Sequence, residues 1–269
     1  MLIPVQTTGT KPTLLMVHGM FGIVPWRTGR RLAEFLGPDH PIYGLQAPGF
    51  DGGRKPSAKV PEAANEYLRE IRRARLKAPF AVLGVCGGCV MALQLAQSLA
   101  VAARFAGEPP PVPLLMLIDP PGLPGAEYNP SDLADAAQLL RERVGNWFAD
   151  TRERLEEVPF DIDDPKQLAI AQEVGAAVEW SISTYHPTPY SEPVQVLAIE
   201  PVAQMVDRPH WPWRKVLAGP WGIQTLQCQH QDIFSTRAQD AFRWVKECLD
   251  ALQAPSGKPT TGTRPSASP

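Results

Sequence analysis

One short stretch restricts the folds open to this chain more than any other. Phe80-Ala81-Val82-Leu83-Gly84-Val85 is an apolar run of strand length, and Cys86-Gly87-Gly88 turns out of it. From Cys89 to Gln97 the apolar residues then recur at helical spacing. A strand turning sharply into a helix through Gly84-x-Cys86-x-Gly88 has the pattern of a nucleophile elbow, with cysteine at its tip. The two glycines lack the Cβ atoms that would clash where strand and helix pass close together. The cysteine then stands at a helix N-terminus, where free N–H groups and the macrodipole favour its thiolate. Cys86-Gly87-Gly88-Cys89 is also a C-x-x-C sequence, and a redox motif likewise sits between a strand and a helix. The rest of the chain has to separate the two readings.

At 269 residues the chain is long enough for one large domain, and too long for a lone thioredoxin-like unit. Its 26 basic and 28 acidic residues leave a net charge of −2, which gives no case for nucleic acid or an anionic membrane as partner. No uninterrupted apolar run reaches the roughly 20 residues of a spanning helix, and no secretory leader is visible. Four cysteines at this length do not form a disulfide framework, so reduced thiols in a cytoplasmic setting are expected. The Met1 start favours a free-standing chain over an excised domain.

In chain order, residues 1–12 read as a ragged, polar start. Thr13 to Val17 is a buried-type strand running into His18-Gly19-Met20-Phe21-Gly22, a turn whose backbone N–H groups can face a cleft. His18 reads as a brace for that turn rather than a base. A helix over 27–35, a strand over 41–45 and an amphipathic helix over 61–77 follow. The basic run Arg69, Arg72, Arg73, Arg75 and Lys77 reads as a solvated face. After the elbow helix, Val112 to Ile118 is a strand with Asp119 at its carboxyl end. Alternating strands and helices predict a parallel α/β sheet with its chemistry beyond the strands' carboxyl ends.

From about 125 to 190 the pattern is helical (131–149 and 165–183), as in a lid inserted between strands. The sheet resumes at Val194 to Ile199 and again at Ile223 to Cys228, with His230 just beyond. Ser235 or Thr236 is placed to cap a last helix reaching Leu252. The expected organisation is therefore a core over 1–124, a helical lid over 125–190, a second part of the core over 191–252, and a disordered tail over 253–269 rich in Pro, Ser, Thr and Gly.

Nucleophile, acid and histidine come in the order Cys86, Asp119, His230, the order of an α/β-hydrolase. In such a set the thiolate attacks an acyl carbonyl, the imidazole moves the proton, and the carboxylate fixes the imidazole and its charge. Backbone N–H groups of Gly87 and Met20 are the candidates for the oxyanion hole, a contribution of about 3 kcal/mol per donor. Asp207, after the next strand, is the alternative acid. His40, His186 and His210 lie in Pro-rich loops and read as surface or lid contacts, and Cys228 and Cys248 as core.

Several stretches together resemble the thioesterase domains of polyketide and nonribosomal-peptide synthetases. They are Val17-His18-Gly19-Met20-Phe21-Gly22, the run from Gly37 to Gly49, Ala81 to Gly88, Tyr185-His186-Pro187-Thr188-Pro189-Tyr190, and the Trp213 region. The resemblance covers roughly 13–250 and is weakest in the lid. It implies an α/β-hydrolase fold with a helical lid and a triad at Cys86, Asp119 and His230. It further implies an acyl or peptidyl chain delivered on the phosphopantetheine arm of a carrier protein, and no resident cofactor or metal. That family usually carries serine where this chain has Cys86. A thioester on Cys86 keeps an acyl group more activated than an oxygen ester would, which favours ring closure onto an amine or hydroxyl over hydrolysis. Two rivals remain within reach of the sequence: a dienelactone-hydrolase-like cysteine hydrolase of small esters, and a non-catalytic binder of acylated carrier proteins. The redox reading gives no reason for His18-Gly19, Asp119 and His230 all to fall at strand ends.

Overall fold

The computed structural model describes residues 1–19, 21–24, 26–123, 138, 140–146, 161, 163–200, 202–206 and 211–252. The expected tail and much of the expected helical insertion therefore lie outside the described residues, as do Met20, Asp207 and His210. The strands are β1 (Leu2–Gln6), β2 (Thr13–Val17), β3 (Ile42–Leu45), β4 (Phe80–Val85), β5 (Leu114–Ile118), β6 (Val194–Ile199) and β7 (Trp221–Leu226). They form one sheet in the order β1-β3-β2-β4-β5-β6-β7, parallel throughout except for β1. The helices are α1 (Trp26–Leu36), α2 (Val60–Arg73), α3 (Gly88–Ala106), α4 (Pro165–Thr184), the short α5 (Val202–Val206) and α6 (Trp213–Val216), and α7 (Ala238–Ala251).

Strands β4 and β5, at the centre of the sheet, are free of polar side chains because both faces of the sheet are covered. Strand alternation sends Leu15 and Val17 of β2, Val82 of β4 and Leu115 and Leu117 of β5 to one face, where they pack with α2, α3 and α4. Leu14 and Met16, Ala81 and Leu83, and Leu114, Met116 and Ile118 go to the other face, against α1 and α7. Helix α3 is apolar and 19 residues long, enough by composition to cross a membrane, but half of that span is buried in the protein interior. Its packing against α2, β4 and β5 explains the apolarity.

Two expectations need correction. Residues 2–6 are not ragged: they form an edge strand antiparallel to β3, with a register shift between Pro4 and Gln6. An edge strand tolerates a proline because one row of its N–H groups has no ladder to feed, which is why the polar reading missed it. The last helix has no side-chain cap from Ser235 or Thr236; Arg237 is its N-cap residue, and the Ser235 hydroxyl donates backwards to the Gln231 carbonyl at 2.8 Å.

The chain leaves β2 towards β3 on one side and returns to β4 on the other. The carboxyl ends of β2 and β4 therefore open a crevice at the reversal point, where ligands bind in sheets of this kind. The Ile170, Val174 and Val178 stripe of α4 meets the loops beside it, lying against Gly52, Gly49 and Gly22 respectively. The helical segment 140–146 crosses α4 in turn, with Val144 against Gly175 and Arg143 paired to the buried Glu179 at 2.6 Å.

Candidate active site

Cys86 directly follows β4 with φ at 50°, a left-handed conformation unfavourable for any residue with a Cβ. What holds it there is close packing. A Cβ on Gly84 would lie 2.6 Å from the Gly88 carbonyl oxygen, and one on Gly88 would lie 2.1 Å from the His18 carbonyl oxygen. Strand, helix and the turn after β2 thus meet through backbone alone. The first turn of α3 is closed by Cys89 N–H to Cys86 O at 2.9 Å and Val90 N–H to Gly87 O at 3.2 Å. The Gly87 N–H precedes these bonds at the helix start, among the donors that helical geometry leaves unpaired.

Asp119 follows β5, is 8% exposed and also has φ at 50°. Its N–H donates to Leu197 O of β6 at 2.8 Å, and the carbonyl of Pro121 just downstream accepts from the Trp213 indole at 2.7 Å. His230 opens a 3₁₀ turn after β7, held by reciprocal bonds between Gln229 and Asp232. Its Nδ1 lies 2.6 Å from Asp119 Oδ2, and Cys86 is the second group that acts on its charge. With Nδ1 on the carboxylate, the Nε2 edge is the one left to meet the thiol. The Asp119 carboxylate first, then Cys86, push the His230 pKa up from 6.5 to about 10. Residues just after β4, β5 and β7, up to 144 positions apart in the chain, thus come together at one site.

His18 is fully buried, and burial lowers its pKa to about 4. Its Nδ1 lies 2.7 Å from the Gly19 carbonyl, which only accepts, so Nδ1 carries the proton and Nε2 accepts from the Tyr67 hydroxyl at 2.6 Å. A neutral imidazole with both nitrogens engaged braces the turn after β2. Sequence reasoning gave no sign of Tyr67 as its partner, since a tyrosine on the apolar face of α2 looks like ordinary core. The Trp213 region carried part of the resemblance, but its contact with the Pro121 carbonyl beside Asp119 was not foreseen. His40 differs from its expected place: it is buried at 1% exposure, between the Lys11–Asp39 backbone contact and β3, whereas His186 is exposed. Cys228 and Cys248 are half-buried against the α1/α7 side of the core. All four cysteines are free thiols. Among the described residues no group of three or more His, Cys, Asp or Glu side chains is arranged to hold a metal ion.

Sheet order, elbow and helices on both faces define an α/β-hydrolase fold. The family model described as the thioesterase domain matches residues 12–243, and the chain belongs to that family. Among curated relatives, the malpibaldin synthetase of Mortierella alpina is 35% identical over 119 residues, 44% of this chain and 2% of that synthetase. The chain spans only a small fraction of such relatives; a dimodular nonribosomal peptide synthase of Bacillus subtilis is matched over 5% of its length. Among solved structures, the NocB thioesterase domain in covalent complex with a fluorophosphonate nocardicin G analogue superposes with a TM-score of 0.65 at 21% identity, covering 90% of this chain and 96% of that one. At such identity the likeness speaks for the fold.

Proposed function

We propose that the protein takes an acyl or peptidyl chain from a carrier-protein phosphopantetheine thioester onto Cys86 and releases it by ring closure or hydrolysis. The observation that carries this reading is the Asp119–His230 bond at 2.6 Å, set beside Cys86 at the tip of a strained strand-to-helix turn. Membership of the thioesterase-domain family and similarity to parts of nonribosomal peptide synthetases support the substrate class.

Chemically, His230 holds as an imidazolium the proton that Cys86 gives up, and the thiolate attacks the thioester carbonyl. The negative oxygen that forms meets the Gly87 N–H and a second donor assigned to Met20. Collapse forms the Cys86 thioester, breaks the bond to the pantetheine sulfur, and returns the proton from His230 to the departing thiol. An amine, hydroxyl or water then gives its proton to Nε2 and attacks the same carbonyl, and the proton passes back to Cys86 as it leaves. The Asp119 carboxylate supports the imidazolium in both halves. Helix α4 and the segment 140–146 serve as part of a lid that keeps water from the acyl-enzyme. Exchange between two thioesters is nearly isoenergetic, so the acyl group reaches the second step still activated, which favours ring closure.

The test is turnover of a carrier-bound acyl thioester against free esters and lactones of the same acyl group, with products resolved as free acid or ring. Preferred turnover of the carrier-bound form, lost in Cys86→Ala, agrees with the proposal. Turnover of free lactones alone identifies a small-ester hydrolase instead, and carrier binding without turnover identifies a binding module.

A further inference from the structure

The peptide unit joining Ile118 to Asp119 is held on both sides. Its N–H, on Asp119, donates to Leu197 O of β6 at 2.8 Å. Its carbonyl, on Ile118, accepts the Cys86 N–H at 2.9 Å and the Cys89 thiol at 3.4 Å. The two residues with positive φ at this site, Cys86 and Asp119, are therefore coupled through one carbonyl oxygen. Rotation of that peptide unit alters φ of Asp119 directly, and with it the aim of the carboxylate at His230. Strained backbone persists only where its surroundings over-determine it.

We infer that Cys89 is a positioning residue: its buried thiol is a second donor that locks the Ile118–Asp119 peptide unit and so keeps Asp119 aimed at His230 and Cys86. The inference rests on the proposed role of Cys86 as nucleophile. Cys89 is fully buried on the first turn of α3, three residues after Cys86. Burial holds its pKa well above the ordinary thiol value, so it keeps its proton and remains a donor. A cysteine present only for packing would need no acceptor, whereas this one spends its hydrogen on the carbonyl that carries the geometry of the acid.

The experiment compares Cys89→Ala and Cys89→Ser with the full-length wild type by the rate of Cys86 alkylation with iodoacetamide, resolved by peptide mass spectrometry at a fixed neutral pH. Thermal unfolding of each variant and kcat and KM on a carrier-bound thioester complete the set. Serine keeps a donor of similar size and alanine does not. Expected is Cys86 alkylation about 3- to 10-fold slower in Cys89→Ala, the scale of one modest hydrogen bond, with the fall in kcat and not in KM. Cys89→Ser is expected within about twofold of wild type on the same scale. A pure packing role predicts the reverse order, because serine buries a hydroxyl where alanine buries none. Equal alkylation in Cys89→Ala and wild type, or a serine variant as slow as alanine or slower, overturns the inference. If alanine does not fold, the serine variant decides by the same criterion. Alkylation that follows the expected order without any thioester turnover supports the positioning role and rejects the proposed function.

Discussion

Replacing Asp119 by asparagine keeps the shape of the side chain and removes the charge that lies 2.6 Å from His230 Nδ1. In the wild type that charge is the leading reason the imidazole titrates at about 10 instead of 6.5. Taken at face value, at about 1.4 kcal/mol per pH unit, the shift corresponds to ~5 kcal/mol. The His230 side chain is 53% exposed, however, and solvent screening brings the usable part down to ~2 kcal/mol. The folded-state pKa is raised, so this stabilisation is fully present below the unfolded value of 6.5 and drains away as pH rises through about 10. Urea unfolding of wild type and Asp119→Asn at about pH 6 and about pH 10 should therefore show a gap ~2 kcal/mol wider at the lower pH. Taking the difference between the two proteins removes the titrations of Lys, Tyr and the remaining Cys residues that they share. A gap of equal size at both pH values, or one that widens with pH, would refute the reasoning that Asp119 stabilises an imidazolium.

Gly88→Ala puts a Cβ 2.1 Å from the His18 carbonyl oxygen, a backbone atom with nowhere to go, and is expected to cost more than about 3 kcal/mol or prevent folding, read by chemical denaturation. Tyr67→Phe leaves the buried Nε2 of His18 without its donor and should cost about 1–3 kcal/mol of stability while leaving Cys86 alkylation unchanged; a loss of alkylation would give His18 a larger role than a brace. Cys86→Ser is expected to shift products from ring to free acid, because an oxygen ester holds the acyl group less activated; an unchanged product ratio removes the reason given for cysteine.

The strands that carry the site were legible because a parallel sheet covered on both faces writes itself as continuous apolar runs, as in Leu114 to Ile118. Gly84 and Gly88 were legible because close backbone approach leaves no alternative to glycine at either position. Strand β1 was not, since none of its residues is fully buried and Pro4 reads as a break. The start of the last helix was blurred for a related reason: α7 begins without a side-chain cap, so the Ser235-Thr236 signal pointed one or two residues too early. The choice between Asp119 and Asp207 was open in the sequence because both follow strands; only tertiary geometry brings Asp119 to His230. The Cys89–Ile118 contact links helix to a neighbouring strand 29 residues away, and no local pattern encodes such a bond.

The central claim, that Cys86 is the acyl acceptor, is tested most directly by intact-protein mass spectrometry after brief incubation with a carrier-bound acyl analogue, followed by peptide mapping. The account predicts a mass increase of one acyl group, mapped to the peptide containing Cys86 and absent from Cys86→Ala. Acylation of Cys86→Ala to the same extent, or a wild type that never becomes acylated while its substrate is consumed, would contradict it.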